Sequence, residues 1–311
     1  MKPAQSTAQS TAQPTAGTSV SPAAAPVAAP DGVLQRTSNQ RAFIRPDRGL
    51  LDLELNQIWR YRGLLMTLVK RDIMVLYRQA ALGAAWAIIQ PIFAVIIFTI
   101  VFGMLAKMPT PNNIPYPIFA FAAVLPWNYF SEAVRRGGTG LVNDEELVRK
   151  VYFPRLVIPL GGAIGPLLDF AIGFVILLIL MIAFGVMPTW RLIAVPPLLA
   201  MAGLAALAVS MWLGPINVRY RDVKHTLPFL LQIWMYASPV VYSFSMVPQQ
   251  WKWVVALNPM VGVIEGFRWA VFGKGSLDPV AMIVSGVLVI VLFVGGLIFF
   301  KRMERSFADL I

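Results

Sequence analysis

Few residues in this 311-residue chain could do chemistry, and their types limit what that chemistry is. There is one histidine, His225, and no cysteine, so neither a His-rich metal site nor thiol or disulfide chemistry is available. The segment 50–78 offers one spaced acidic pair, Asp52-x-Glu54, and the apolar run "GPLLDFAIG" encloses one carboxylate, Asp169. General acid–base catalysis needs a positioned base or metal-binding carboxylates; His225 has only Lys224 beside it and reads as a bystander. A phosphate-cradling loop would read G-x-x-x-x-G-K-[ST]. The nearest stretch, Gly273-Lys274-Gly275-Ser276, lacks the upstream glycine. The chain is therefore expected to be no enzyme, with no cofactor, metal or nucleotide of its own.

What remains is a knot of charge at 143–159, "NDEELVRKVYFPRLVIP", with three acidic and three basic residues. Asn143 is a good N-cap and Glu146 stands three residues on, as in a capping box. Asp144, Glu145 and Glu146 suit the first turn of a helix, and Arg149 and Lys150 the last. Glu145–Arg149 and Glu146–Lys150 are i,i+4 pairs in the favourable order. Pro154 stops the helix and biases Phe153 away from helical angles. Leu147, Val148, Val151 and Tyr152 make an apolar stripe. The spacing predicts an amphipathic helix over 143–153. At about ten residues it is marginal alone in water and needs a surface, the bilayer or another protein. A solvated loop whose charges only enforce topology is the alternative.

The elements around this knot follow from the charge distribution. Hydrophobic residues make up 58% of the chain and charged residues 13%, and the mean hydropathy is +0.68, against about 25% charged for a soluble domain. No Asp, Glu, Lys or Arg falls between Arg78 and Lys107, Lys107 and Glu132, Asp169 and Arg191, Arg191 and Arg219, Lys224 and Lys252, or Asp278 and Lys301. Each gap can hold the roughly 20 apolar residues of a transmembrane helix. The expected fold is an all-α polytopic membrane protein with six transmembrane helices near 83–106, 117–136, 156–184, 191–213, 226–243 and 279–300. Pro91, Pro126, Pro159, Pro166, Pro196, Pro197 and Pro239 would kink or break them, tolerably where neighbours satisfy the freed carbonyls.

With both termini inside, sixteen cations gather on the cytoplasmic side and five outside: Lys107, Arg191, Lys252, Arg268 and Lys274. That asymmetry gives N-in, C-in. The net charge of +11 is dispersed at the ends of apolar runs, which speaks for topology and against nucleic acid. Residues 50–78 mix Leu64, Leu65, Leu68, Ile73 and Leu76 with Arg60, Arg62, Lys70, Arg71 and Arg78, as in an amphipathic interfacial helix. Residues 1–48 are rich in Ala, Pro, Ser and Thr, with an AQST repeat and no signal-peptide core, and are expected to be disordered. The six-span body then runs over 49–311. Residues 246–277 are too apolar for water and too interrupted to span. Two re-entrant external helices breaking near Asn258-Pro259 are expected, with Trp251, Trp253 and Trp269 at headgroup depth.

Four segments carry a resemblance. "NDEELVRKVYFPRLVIPL" is similar to the coupling-helix segment of type-2 permeases of ATP-binding-cassette exporters, in the branch that exports lipid-linked polysaccharide. "KRDIMVLYRQAALGAAWAIIQP" (70–91) resembles the family's entry into span one. "NVRYRDVKHTLPFLLQIWMYASPVVY" (217–242) resembles its span-four to span-five segment. "LNPMVGVIEGFRWAVFG" (257–273) resembles the external helices before span six. The resemblance implies a homodimer in the bacterial inner membrane, docked on two copies of a separate nucleotide-binding subunit that holds ATP and Mg. It implies coupling to that ATPase at Asn143, Glu145, Glu146, Arg149, Lys150, Tyr152, Phe153, Pro154 and Arg155, with the interfacial helix clamping the same subunit. The implied substrate is a glycan on undecaprenyl diphosphate, an O-antigen precursor first and capsule or another envelope glycan second.

A sliding sugar chain would suit aromatic rings: Trp127, Tyr129, Phe130, Phe170, Phe174, Trp212, Trp234 and Tyr236 are candidates for the path, although aromatics at helical spacing also pack cores or form interfacial belts. Arg60, Arg62, Arg135 and Arg136 could bind the diphosphate, or could serve topology and anionic lipid. Asp169 is read as an interior structural group, paired or protonated. Glu265 and Arg268, three apart, could pair and brace the external helices. A membrane-embedded transferase would need the missing base. An ion-coupled transporter would need several buried ionisable residues and inverted repeats.

Overall fold

In hydrocarbon every backbone N–H and C=O must be satisfied within the protein, which leaves helices as the solution for apolar runs of this length. The computed structural model describes residues 55–78, 85–273 and 278–304, and among them every regular element is helical. The segment 1–48, Asp52, Glu54, Gly83, Lys274 and the rest of 274–277 lie outside the described residues.

The interfacial segment forms α1 (Leu55–Arg60) and α2 (Arg62–Arg78). Leu65, Leu68 and Val69 of α2 are buried, and Met66, Met74 and Val75 are exposed. The inner face lies on the helix Val157–Ile164, where Leu65 and Val69 come against Gly161.

The first expected span is α3 (Ala85–Phe98), continued by a π-helical turn at Thr99–Leu105. Phe93, Ile96, Ile97, Ile100 and Met104 are exposed, as a lipid-facing surface requires. The second, α4 (Tyr116–Asn143), runs well past its expected end at 136 and is 28 residues long. It is the centre of the core, with Ile118 to Trp127 buried without interruption. Small residues let its neighbours approach: a Cβ on Gly162 would stand 2.5 Å from the Gly137 nitrogen, and one on Gly137 would stand 2.5 Å from Ser210 Oγ. Close backbone approach through glycine is how helices pack where water offers no drive between them.

The third span divides into α6 (Val157–Ile164) and α7 (Leu167–Ala183) at Gly165-Pro166. The fourth is a 3-10 turn at Trp190–Ala194 leading into α8 (Val195–Arg219). Pro196 and Pro197 do not kink it. They occupy its first turn, where a missing N–H costs nothing. The fifth is shorter than expected: α9 (Val223–Ala237) ends before Ser238-Pro239, and Val240 and Val241 continue as buried, non-helical chain. Last is α12 (Pro279–Glu304).

Between them, α10 (Gln249–Ala256) and α11 (Pro259–Phe272) meet at 104°. The break falls where Asn258-Pro259 predicted it, and Asn258 Oδ1 caps α11 by accepting from the Met260 N–H at 3.0 Å. Among the described residues, three helices are long and apolar enough to cross a membrane: Val157–Ala183, Trp190–Arg219 and Pro279–Glu304. The other three expected spans fall on α3, α4 and α9.

Candidate functional site

The charge knot folds as two pieces. Asp144 N–H still donates to the Gly140 carbonyl at 2.9 Å, and the Asp144 carbonyl accepts from Leu147 and Val148, so α4 passes through one kinked residue into α5 (Glu145–Lys150). Asn143 is not the cap. It is the last residue of α4, with its amide donating to Thr139 Oγ1 at 3.1 Å, and the expected capping box is not formed. Asp144 takes the cap position but gives no side-chain cap bond, because its carboxylate is held by Arg71 of α2, 2.8 Å from Nη1 and 3.1 Å from Nη2. Arg71 also pairs with Asp72 at 2.8 Å. Asp144 above all, and Asp72 after it, raise the affinity of the Arg71 guanidinium for its proton, against burial that lowers it.

The two i,i+4 pairs form, Glu145–Arg149 at 2.7 Å and Glu146–Lys150 at 2.9 Å. Arg221, in the turn between α8 and α9, reaches Glu145 at 3.7 Å. The helix stops at Lys150, with Val151 already extended, so Pro154 is not its terminator. Pro154 instead offers its carbonyl to the Val157 N–H at 3.0 Å as α6 begins. The predicted stripe divides accordingly. Leu147 and Val148 pack on the cluster of Leu65, Leu68, Leu141 and Phe153, whereas Val151 is exposed and Tyr152 is 90% exposed. Arg155 donates to the Glu304 carbonyl at 3.0 Å. Of the expected coupling residues, Phe153 and Arg155 fasten α5 to the body, while Glu146, Arg149, Lys150 and Tyr152 stand outward. The clamp residues Arg71 and Arg221 were not expected as site residues; the charged triplets Lys70-Arg71-Asp72 and Arg219 to Asp222 were their only signal.

The candidate diphosphate arginines separate into two groups. Arg60 and Arg62 are exposed, with Arg62 lying 4.9 Å over the Trp59 ring. Arg135 and Arg136 converge on Glu132, at 2.7 Å from Arg135 Nε and 2.6 Å from Arg136 Nε. Arg136 also lies 3.8 Å from Asp169, which is therefore a paired group.

The aromatic candidates are mostly enclosed. Trp127, Tyr129, Phe130 and Phe170 are buried. Trp234 meets Phe130 edge-on at 5.2 Å, Phe170 stacks on Phe174 at 6.0 Å, and Tyr129 donates to the Ala163 carbonyl at 3.1 Å. Trp212 stacks on Phe299 of α12 at 4.9 Å. Tyr236, on α9, stands exposed beside Ile233 and Phe229.

On the opposite side of the molecule, Arg268 is 4% exposed and donates to the carbonyls of Pro239, Val240 and Tyr242 at 2.8, 2.7 and 2.9 Å. It pairs with Glu265 at 3.1 Å and lies 3.7 Å over the Phe119 ring. Glu265 in turn accepts from the Phe244 N–H at 3.1 Å. This is the brace expected of the pair, and it satisfies the non-helical chain after α9. Among the described residues no group of three or more side chains could hold a metal ion.

A family model described as "ABC-2 type transporter" matches residues 63–272. The chain is 31% identical over 256 residues to the O-antigen export system permease protein RfbA of Myxococcus xanthus, covering 81% of this chain and 96% of the relative. It is 24% identical over 249 residues to RfbA of Klebsiella pneumoniae, covering 80% and 95%. It is 23% identical over 244 residues to the polysialic acid transport protein KpsM of Escherichia coli, covering 76% and 92%.

Proposed function

The chain belongs to the ABC-2 type transporter family, and from that premise we propose that it is the transmembrane subunit of an ATP-driven polysaccharide exporter. The similarity to RfbA over nearly that protein's whole length carries the reading. The cargo is an O-antigen precursor on undecaprenyl diphosphate. Capsular glycan is the second reading, favoured by the similarity to the polysialic acid transport protein.

In this reading two copies of the chain sit in the bacterial inner membrane, termini inside, each with six spans formed by α3, α4, α6–α7, α8, α9 and α12. The bent pair α10–α11 lies on the external side. ATP and Mg belong to a separate nucleotide-binding subunit, which docks on the outward residues of α5. The linkage is mechanical: nucleotide closure does work only if the two ATPase states hold α5 differently. Because α5 continues α4 through one residue, a displacement there enters a helix about 42 Å long at 1.5 Å per residue. The far end of α4 meets the external brace, with Phe119 under Arg268 and Tyr116 donating to the Val241 carbonyl at 2.8 Å.

Purification of the chain from its native host tests the assignment. An ATPase subunit should be retained, and Glu146→Arg with Arg149→Glu should release it or uncouple hydrolysis from export. A chain that exports glycan with no ATPase present would refute it.

A further inference from the structure

One face of α4 is unsuited to lipid. Between Ile118 and Leu141 the residues left accessible are Asn128, Ser131, Glu132, Arg135 and Arg136. Their spacing of three and four puts them on a single face. The exposed residues of α7, and those of α12 before Lys301, are apolar, such as Ile179 on α7 and Ile283 and Ile290 on α12.

The depth of this face follows from a contact three helices share. Leu141 of α4 and Phe300 of α12 lie 3.2 and 3.9 Å from where a Cβ on Gly214 of α8 would stand. Phe300 ends the uncharged run of α12, one residue before Lys301. Arg135 and Asn128 lie six and thirteen residues outward of Leu141, roughly 9 and 20 Å at 1.5 Å per residue. Both fall within a hydrocarbon core about 30 Å thick. Ionisable groups at that depth face a water-filled cavity or the protein interior.

The chemistry of the face is that of a neutral hydrogen-bonding surface. Glu132 engages Arg135 and Arg136, and Arg136 approaches Asp169, so two acidic groups balance two guanidiniums and leave no net charge to trap an anion. Outward of them, the Asn128 carboxamide has no hydrogen-bond partner among the described residues, and Ser131 Oγ donates to the Asn128 carbonyl at 3.1 Å with its lone pairs free. We propose that Asn128 and Ser131 line a water-filled path along α4 and hydrogen-bond the hydroxyls of a neutral stretch of carbohydrate chain. This rests on the exporter reading above and assigns the contact to amide and hydroxyl groups beside the buried rings.

The chain has no cysteine, so Asn128→Cys and Ser131→Cys each introduce a unique thiol. The test labels them with a charged, membrane-impermeant thiosulfonate in open vesicles carrying the full complex. The vesicles are prepared with and without lipid-linked glycan extracted from the host's own membrane. Both positions should label, and glycan held in the complex should protect both, whereas Ile290→Cys should stay unlabelled throughout. Absence of labelling at both positions would overturn the proposal, as would labelling that glycan leaves unchanged. Oxidative cross-linking of Asn128→Cys between two copies, without labelling, would also overturn it by closing this face with protein. Failure of the exporter reading itself is read separately, as an unsubstituted complex that moves no glycan in the same vesicles with ATP.

Discussion

Arg71 and Asp144, 73 positions apart in the chain, close a two-pronged ion pair that ties α2 to the hinge between α4 and α5. With Arg221 on Glu145 from the α8–α9 turn, it holds a six-residue helix too short to persist alone. The charges of α5 thus serve two ends: some fix the helix to its own chain, and the rest are offered outward.

The clamp should matter more for transmission than for stability. The Arg71 side chain is 43% exposed and that of Asp144 17%, so the pair is worth about 1 kcal/mol or less in a screened setting. Arg71→Ala and Asp144→Ala should each leave the thermal midpoint nearly unchanged and lower glycan exported per ATP hydrolysed. The double variant should be no worse than either single one, as a double-mutant cycle on a shared contact requires. Additive losses would place the two residues in separate roles.

Arg268 should behave in the opposite way. Its loss leaves three carbonyls of the buried chain after α9 and the Glu265 carboxylate without their partner. Arg268→Met should cost about 3–5 kcal/mol, the scale for removing one member of a buried pair. It should appear as a sharply lower thermal midpoint of the detergent-purified complex. Glu265→Gln keeps an acceptor for the Phe244 N–H and should cost less than half as much.

Glycine packing gives a pair of predictions with a built-in control. A methyl on Gly162 meets the Gly137 backbone at 2.5 Å, so Gly162→Ala should destabilise by about 1–3 kcal/mol through overpacking. Gly286 on α12 has nothing within 4 Å of the same position, and Gly286→Ala should be neutral or stabilise by up to about 1 kcal/mol through helix propensity. Thermal unfolding of the two variants side by side decides between close packing and a general intolerance of substitution.

Local rules read correctly what local contacts decide. Glu145–Arg149, Glu146–Lys150 and Glu265–Arg268 lie within one helical turn and pair as their spacing implies. The Asn258-Pro259 break follows from a cap and a missing N–H. Asn143 is no cap because a cap answers only its own next turn, whereas Gly137, Gly138 and Gly140 hold α4 helical against Ser210, Leu213 and Ile158. The carboxylate at the cap position answered a cation from another helix. α9 stops short of the apolar run that continues through Val240 and Val241, because the Val240 carbonyl is satisfied by Arg268 and the Val241 carbonyl by Tyr116 in place of a helix. Aromatics such as Trp127 and Phe130 carry no mark in the sequence that separates a path from a core. In the fold both are buried.

In the proposed function a separate nucleotide-binding subunit grips the outward residues of α5 and the adjoining Tyr152, and so drives export. Tyr152 is 90% exposed, so none of the packing among the described residues rests on its ring. The most direct measurement is ATP-dependent glycan export by vesicles carrying the chain and its co-purified nucleotide-binding subunit, compared with Tyr152→Ala. No export is expected without the subunit or without ATP, and Tyr152→Ala should lose export while the thermal midpoint holds. Export that proceeds without the nucleotide-binding subunit would contradict the proposed function.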